Sequence, residues 1–277
     1  MRIIFFDIEI YPNYFLMVSY DPYKKTYKTF EIFNDTEINQ YTQLKEYLKQ
    51  EQQSYFCGYN SLFYDMNILT EMITLNYTSN NEIKELNDAI INDIWPRNPE
   101  WKLCNKTLDL MLINNYGPKS AKSTSLKKLE FNLRKKKIQD LPYHFNDLIN
   151  TELQREDIIK YCKYDVEMLL DVFEFSKDLI KMRIEFDKLY NLGVLNSPEP
   201  DLAKKYVYSE LAKSMNTPVK EFKDLRTYHD EIELKDLILP FIKFENPIYQ
   251  EVLDFYNSIT LVATTKSTRN PVLKVIN

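Results

Sequence analysis

The sequence predicts an α/β fold, with a mixed central sheet that carries an antiparallel three-strand meander and is flanked by helices. Three observations lead there. Residues 2–9 (RIIFFDIE) form a short run rich in Ile and Phe, as in a buried strand. Two more strand-like stretches follow at 14–20 and 27–33, separated by the Asp21-Pro22 turn. Beyond residue 36, helical and strand patterns alternate, the order of an α/β domain with an antiparallel edge.

The remaining elements follow in order. Residues 36–51 carry helical spacing, and 54–59 (SYFCGY) reads as a short buried strand. Helical pattern returns at 65–75 and 81–94, and 107–113 (TLDLMLI) reads as another central strand. Ser125 before Leu126, Leu129 and Leu133 predicts a short capped helix. A long helical pattern spans 156–190, with Ile158, Ile159, Cys162, Val166, Leu169 and Leu170 on its apolar side. The pattern breaks near Asn196-Ser197-Pro198-Glu199-Pro200, and a mostly helical extension punctuated by Pro218, Pro240 and Pro247 follows. A soft boundary between 178 and 200 therefore separates a domain at 1–178 from residues 179–277.

Composition excludes several classes. With 44% hydrophobic and 14% aromatic residues, the 277-residue chain can bury a sizeable core. Only three glycines are present, which leaves no room for a glycine-rich phosphate loop. A net charge of −5 argues against indiscriminate coating of nucleic acid, but suits an enzyme that takes one strand end into a cleft. Cys57, Cys104 and Cys162 lack CxxC spacing, and His144 and His229 are far apart, so no zinc site is expected. Buried, inert thiols in a reducing cytosol are the expectation. No uncharged run approaches the roughly 18 residues of a membrane span, and Asp7 interrupts the first apolar run too early for a signal peptide. A soluble cytoplasmic protein with no membrane partner is expected.

The acids carry the chemistry. Asp7 and Glu9 stand two apart in an Ile/Phe strand, so both carboxylates point the same way. Two acids there are unfavourable unless a divalent cation compensates them, or unless the strand end simply reaches water. Asp65 follows the 54–59 strand in GYNSLFYDMNIL, at a strand-to-helix junction where α/β proteins bind ligands. A plain helix N-cap is its alternative role. Tyr161 and Asp165, at i and i+4, share one helix face.

Together these residues resemble the DEDD superfamily of 3′-to-5′ exonucleases, in its tyrosine subgroup. The D-x-E motif is matched by Asp7-Ile8-Glu9, N-x3-[FY]-D by Asn60, Tyr64 and Asp65, and Y-x3-D by Tyr161 and Asp165. The histidine subgroup would need His at 160, which is Lys160. The first motif usually continues with Thr, where this chain has Ile10, so a contact near the primer terminus is lost but no metal ligand. SLKKLEFNL, IQDLPY and IIKYCKYDVEMLLD are similar to the proofreading domains of bacteriophage DNA polymerases of the family B kind. The resemblance covers residues 1–178 and implies an RNase H-like exonuclease fold. It makes 179–277 a helical appendage or the start of a polymerase region, although no polymerase motif is present. For a phage protein the location would be the host cytoplasm.

The resemblance further implies a two-metal hydrolysis of phosphodiester bonds at the 3′ end of single-stranded DNA, proofreading for a polymerase in cis or in trans. All-oxygen ligands favour two Mg²⁺ or Mn²⁺ ions. Asp7 would bridge both, Glu9 and Asp165 would help hold the ion that activates water, and Asp65 would hold the second through water. Tyr161 would orient the attacking water. An RNA-trimming exonuclease, or a catalytically dead nuclease fold kept as a strand-binding module, remain the alternatives.

Asn60, Phe63 and Tyr64 are candidate nucleotide contacts, through stacking or hydrogen bonds, against a core role for the aromatics. Asp109 on the 107–113 strand is a fifth candidate acid, read as a structural group or one supporting the site from a strand end, with a direct functional role as the alternative. Residues 119–137 carry eight basic residues and one acid, Glu130, a local charge of 8 − 1 = +7. Lys135, Lys136 and Lys137 there are candidate phosphate contacts, or part of a solvated face.

Overall fold

The computed structural model describes residues 2–35, 37–92, 106–117, 122–222 and 229–263, with the backbone of 273–276. β1 (Ile3–Tyr11) turns into β2 (Tyr14–Asp21), β2 pairs with β3 (Thr26–Phe33), and the two-residue β4 (Ile38–Asn39) closes that edge. These three pairings are antiparallel. On the other side of β1, β5 (Tyr55–Gly58) and β6 (Lys106–Asp109) run parallel to it, giving the order β4-β3-β2-β1-β5-β6. β1 is thus the strand at which the antiparallel half meets the parallel half. A six-stranded mixed sheet with flanking helices is the α/β architecture that the pattern predicts.

Seven helices enter the two layers on this sheet. In chain order they are α1 (Tyr41–Gln50), α2 (Asp65–Leu75), α3 (Asn80–Ile91), α4 (Leu110–Ile113), α5 (Leu126–Asn132), α6 (Glu152–Phe175) and α7 (Lys177–Tyr190). Successive strand residues point to opposite faces, so β1 serves both layers. Ile4, Phe6, Ile8 and Ile10 cluster with Leu44 of α1, Ile68 of α2 and Leu86 of α3. Phe5 and Tyr11 cluster instead with Cys162 and Val166 of α6 and Ile180 of α7. Each fully buried side chain of this size contributes about 1.5–3 kcal/mol relative to exposure.

Several boundaries differ from the sequence reading, each for a local reason. The strand expected over 107–113 ends at Asp109, whose carboxylate accepts from the Met111 amide at 3.0 Å and the Leu112 amide at 3.4 Å. That cap launches α4, so the apolar LMLI run is a helical turn. The helix expected over 156–190 is two helices meeting at Ser176. The Ser176 hydroxyl donates to the Val172 carbonyl and accepts from the Asn114 amide, each at 2.7 Å. α6 also begins earlier than expected, at a capping box formed by Thr151 and Gln154. Residues 38–39 extend the sheet, so α1 starts at Tyr41. α3 starts from a Ser79–Glu82 capping box, and residues 93–94 of the expected helix lie outside the described residues. Of the three thiols, Cys57 and Cys162 are buried and free, and burial pushes both well above the ordinary thiol range. Cys104 lies outside the described residues.

By its contacts the chain divides into Met1–Val207 and Tyr208–Asn277. The division falls inside α8 (Glu199–Met215). Beyond it lie α9 (Val219–Phe222), β7 (Glu231–Glu233), α10 (Pro247–Asn257), β8 (Thr260–Ala263) and β9 (Leu273–Ile276). The expected mostly helical extension therefore also contains an antiparallel sheet, in the order β7-β8-β9. Strands of three and four residues are too short to show a period. Among the described residues no helix is long and apolar enough to cross a membrane.

Candidate active site

β1 outruns its parallel neighbour. Its ladder with β5 covers only Ile3–Phe5, so Asp7, Ile8 and Glu9 lie beyond the carboxyl end of that pairing. The alternation that buries Ile8 with α2 turns Asp7 and Glu9 toward α6. There Tyr161 and Asp165 stand one turn apart, with Cys162 between them packed on the backbone of β1. The Cys162 sulfur is 3.6 Å from both the carbonyl and the carboxylate of Asp7. Carboxylate oxygens of Asp7, Glu9 and Asp165 lie within 4.8 Å of one another, and all three residues keep some solvent contact. Residues about 155 positions apart in the chain thus converge.

Asp65, the first residue of α2, is 4% exposed. It stands outside that triad, but it raises Asp7 and Glu9 through its charge. The Ile8 amide, close to both, partly offsets the rise of the Asp7 and Asp65 carboxyls. Burial pushes Asp7 and Glu9 well above the ordinary carboxylate range, and their acidic neighbours push them further. Burial raises Asp65 to about 7. Burial and then Asp7 raise Asp165 to about 8, against a lowering hydrogen bond from Tyr161. Burial and then Asp165 push the Tyr161 hydroxyl far above the usual phenol value, so it stays protonated. Among the described residues none of the triad acids sits in an ion pair. Clustered, desolvated carboxylates are of the hard-oxygen chemistry that could hold a divalent cation.

The turn between β5 and α2 is held from β6. Buried Asp109 accepts from the Asn60 amide at 3.1 Å and the Leu62 amide at 3.0 Å, besides capping α4. Its structural reading holds. Asn60 sits at φ +61°, a left-handed conformation that asparagine tolerates. Its carbonyl accepts from the Phe63 and Tyr64 amides. A Cβ at Gly58 would lie 2.6 Å from the Ser61 Cβ, so the tight exit from β5 requires glycine there. Tyr64 is half-buried against the α2–α3 layer, and its hydroxyl donates to Asn87 at 2.6 Å. Phe63 is 40% exposed. Of the three candidate contacts on this turn, Phe63 presents the most open surface, and Tyr64 is anchored in the fold.

The basic segment docks on α6 beside the triad. The Tyr164 hydroxyl, one residue before Asp165, bonds to Glu130 at 3.1 Å and also to the Lys137 carbonyl. Lys135 pairs with Asp171 of α6. Lys136 and Lys137 are exposed and make no ion pair with a described residue. Lys119 lies outside the described residues. Two residues here escaped the sequence reading. Lys127, paired with Asp140 at 2.9 Å, also lowers both Glu9 and Asp165 through its charge. Glu130 is fully buried, with one carboxylate oxygen unpartnered, and adds to the pressure on Asp165. The available signal was that Glu130 is the single acid among eight cations.

No family model, curated protein or solved structure matches this chain.

Proposed function

We propose that the chain is a metal-dependent 3′-to-5′ exonuclease of RNase H-like fold, acting on the 3′ end of single-stranded DNA and proofreading for a polymerase in cis or in trans. One observation carries this reading. Oxygens of Asp7, Glu9 and Asp165 converge within 4.8 Å at the carboxyl end of a parallel ladder, with Tyr161 one turn from Asp165. The antiparallel meander joined to parallel strands and flanked by helices is the sheet arrangement expected of that fold.

Asp7, Glu9 and Asp165 would hold divalent cations, with Asp65 beside them, and their all-oxygen chemistry suits Mg²⁺ or Mn²⁺. Two such ions supply an activated water and neutralise charge on the phosphate and the leaving 3′-oxygen. Tyr161 keeps its proton, so its hydroxyl would hold the attacking water by a hydrogen bond rather than act as base. Lys127, which pairs with Asp140 at 2.9 Å, brings positive charge toward Glu9 and Asp165, and a strand phosphate would compete with Asp140 for it. Clustering of unpaired carboxylates counts against a strand-binding module without chemistry, which would gain nothing from retaining them.

Digestion of 5′-labelled single-stranded DNA and RNA with Mg²⁺, with Mn²⁺ and with EDTA tests the proposal. Stepwise shortening from the 3′ end that stops on chelation is expected. Cleavage that survives EDTA, or internal cuts, would overturn it, and the RNA arm decides the sugar preference.

A further inference from the structure

We infer that Phe131 is a base-stacking platform for the single strand, set between two groups of cations on α5 and at its end. The inference rests on the nuclease reading for its direction of approach, not for its ligand chemistry. Phe131 is 73% exposed, on a seven-residue helix whose other side is buried through Leu129 and Glu130. Phe131 is a wall of two open surface depressions. One is shared with Lys127 and Lys128, the other with Arg134 and Lys135.

Helix geometry explains the alternation. Lys127 and Phe131 are i and i+4, so they share one face. Past Asn132 the chain leaves the helix through Arg134 in the left-handed region, φ +54°, with the Lys135 amide bonded to the Glu130 carbonyl at 3.0 Å. That turn brings Arg134 and Lys135 back beside the same ring. An aromatic face with cations on both sides matches a nucleotide, which presents a base between two phosphates. An acidic peptide's carboxylates would engage the cations without needing the ring. Lys128 and Arg134 are exposed and make no ion pair with a described residue. The opposite, buried side of the same helix is tied to α6 next to Asp165, because Tyr164 donates to Glu130.

Fluorescence anisotropy of a 5′-labelled oligo-dT, and of an oligo-U, in EDTA reads binding without cleavage. Phe131→Ala should weaken binding roughly tenfold at every salt concentration, with the salt slope unchanged. Phe131→Trp should bind as well as wild type, and Phe131→Leu as poorly as Ala. Lys128→Gln with Arg134→Gln should make the salt slope shallower. Unchanged affinity for Phe131→Ala, or Leu behaving like Trp, overturns the platform even if the wild type cleaves DNA normally. Loss of affinity in Phe131→Ala supports it even if the wild type cleaves nothing, an outcome that sinks only the nuclease reading.

Discussion

Ile4, Phe6, Ile8 and Ile10 on one side of β1, and Phe5, Asp7, Glu9 and Tyr11 on the other, belong to one nine-residue strand. They have opposite energetic roles. The first set packs dry against α1, α2 and α3 and stabilises the fold by burial. The second holds two desolvated carboxylates close to a third from α6, an arrangement unfavourable by itself. Support on one face thus offsets repulsion on the other. Because the strand is packed on both faces, the acids cannot relax apart, and their spacing is held by the fold.

Paired substitutions on neighbouring residues give the sharpest break in this comparison. On the proposed function, Asp7→Asn should lower cleavage roughly 10³-fold or more, since a carboxylate that would hold the cations is lost. Its melting temperature without metal should match or exceed that of the wild type. Phe6→Ala, one residue away on the other face, should instead lower stability by about 3–5 kcal/mol. Turnover per folded molecule should then stay near wild type. Urea unfolding and single-turnover cleavage, measured on both variants, separate the two roles. An unfolded Asp7→Asn, or an inactive but stable Phe6→Ala, would erase the distinction.

Tyr161→Phe tests whether the acid face also needs its donor. The ring remains, and the hydroxyl that bonds Asp165 goes. Turnover should drop about 10- to 100-fold from misplacement of the water. Mn²⁺ affinity by calorimetry should be unchanged, and a large loss of metal binding would reassign the residue.

The smallest effect is thermal. Asp65 and Asp165 titrate near about 7 and about 8 in the folded chain. In the unfolded chain a carboxyl titrates near ~4. Folding therefore takes up protons between those limits, and stability must fall as pH rises through that window. In EDTA the melting temperature should be lower at pH 8 than at pH 5. Mn²⁺ should restore it at pH 8, because a cation that binds only the folded state stabilises it. A melting temperature that rises from pH 5 to 8 in EDTA contradicts the repulsion.

The sequence disclosed β1 well, because its Ile/Phe run is long and its acids keep a period of two. It disclosed α2 from its first residue, Asp65. It did not disclose that the LMLI run after Asp109 turns helical, since four buried residues read alike as strand or helix and the Asp109 cap decides. Nor did it disclose the break at Ser176, where the apolar spacing continues and only a contact with the distant Asn114 marks the junction. The triad is a further case. Periodicity gives the face of Asp7 and Glu9, and separately that of Tyr161 and Asp165. Their meeting depends on tertiary packing across the chain, and only the motif resemblance anticipated it. Lys127 and Glu130 lie within SLKKLEFNL, but their part beside Asp165 emerges only from the docking of α5 on α6.

Asp109 also sets how parts of the chain exchange with solvent. Its carboxylate closes the amides of Asn60 and Leu62, which have no ladder partner, together with those of Met111 and Leu112. One acceptor serves all four, so these hydrogens become available to deuterium in a single opening event. The turn leading into Asp65 therefore shares the lifetime of a buried strand end, despite lying outside any regular element. Slow exchange at Leu62 is the signature of that shared lifetime.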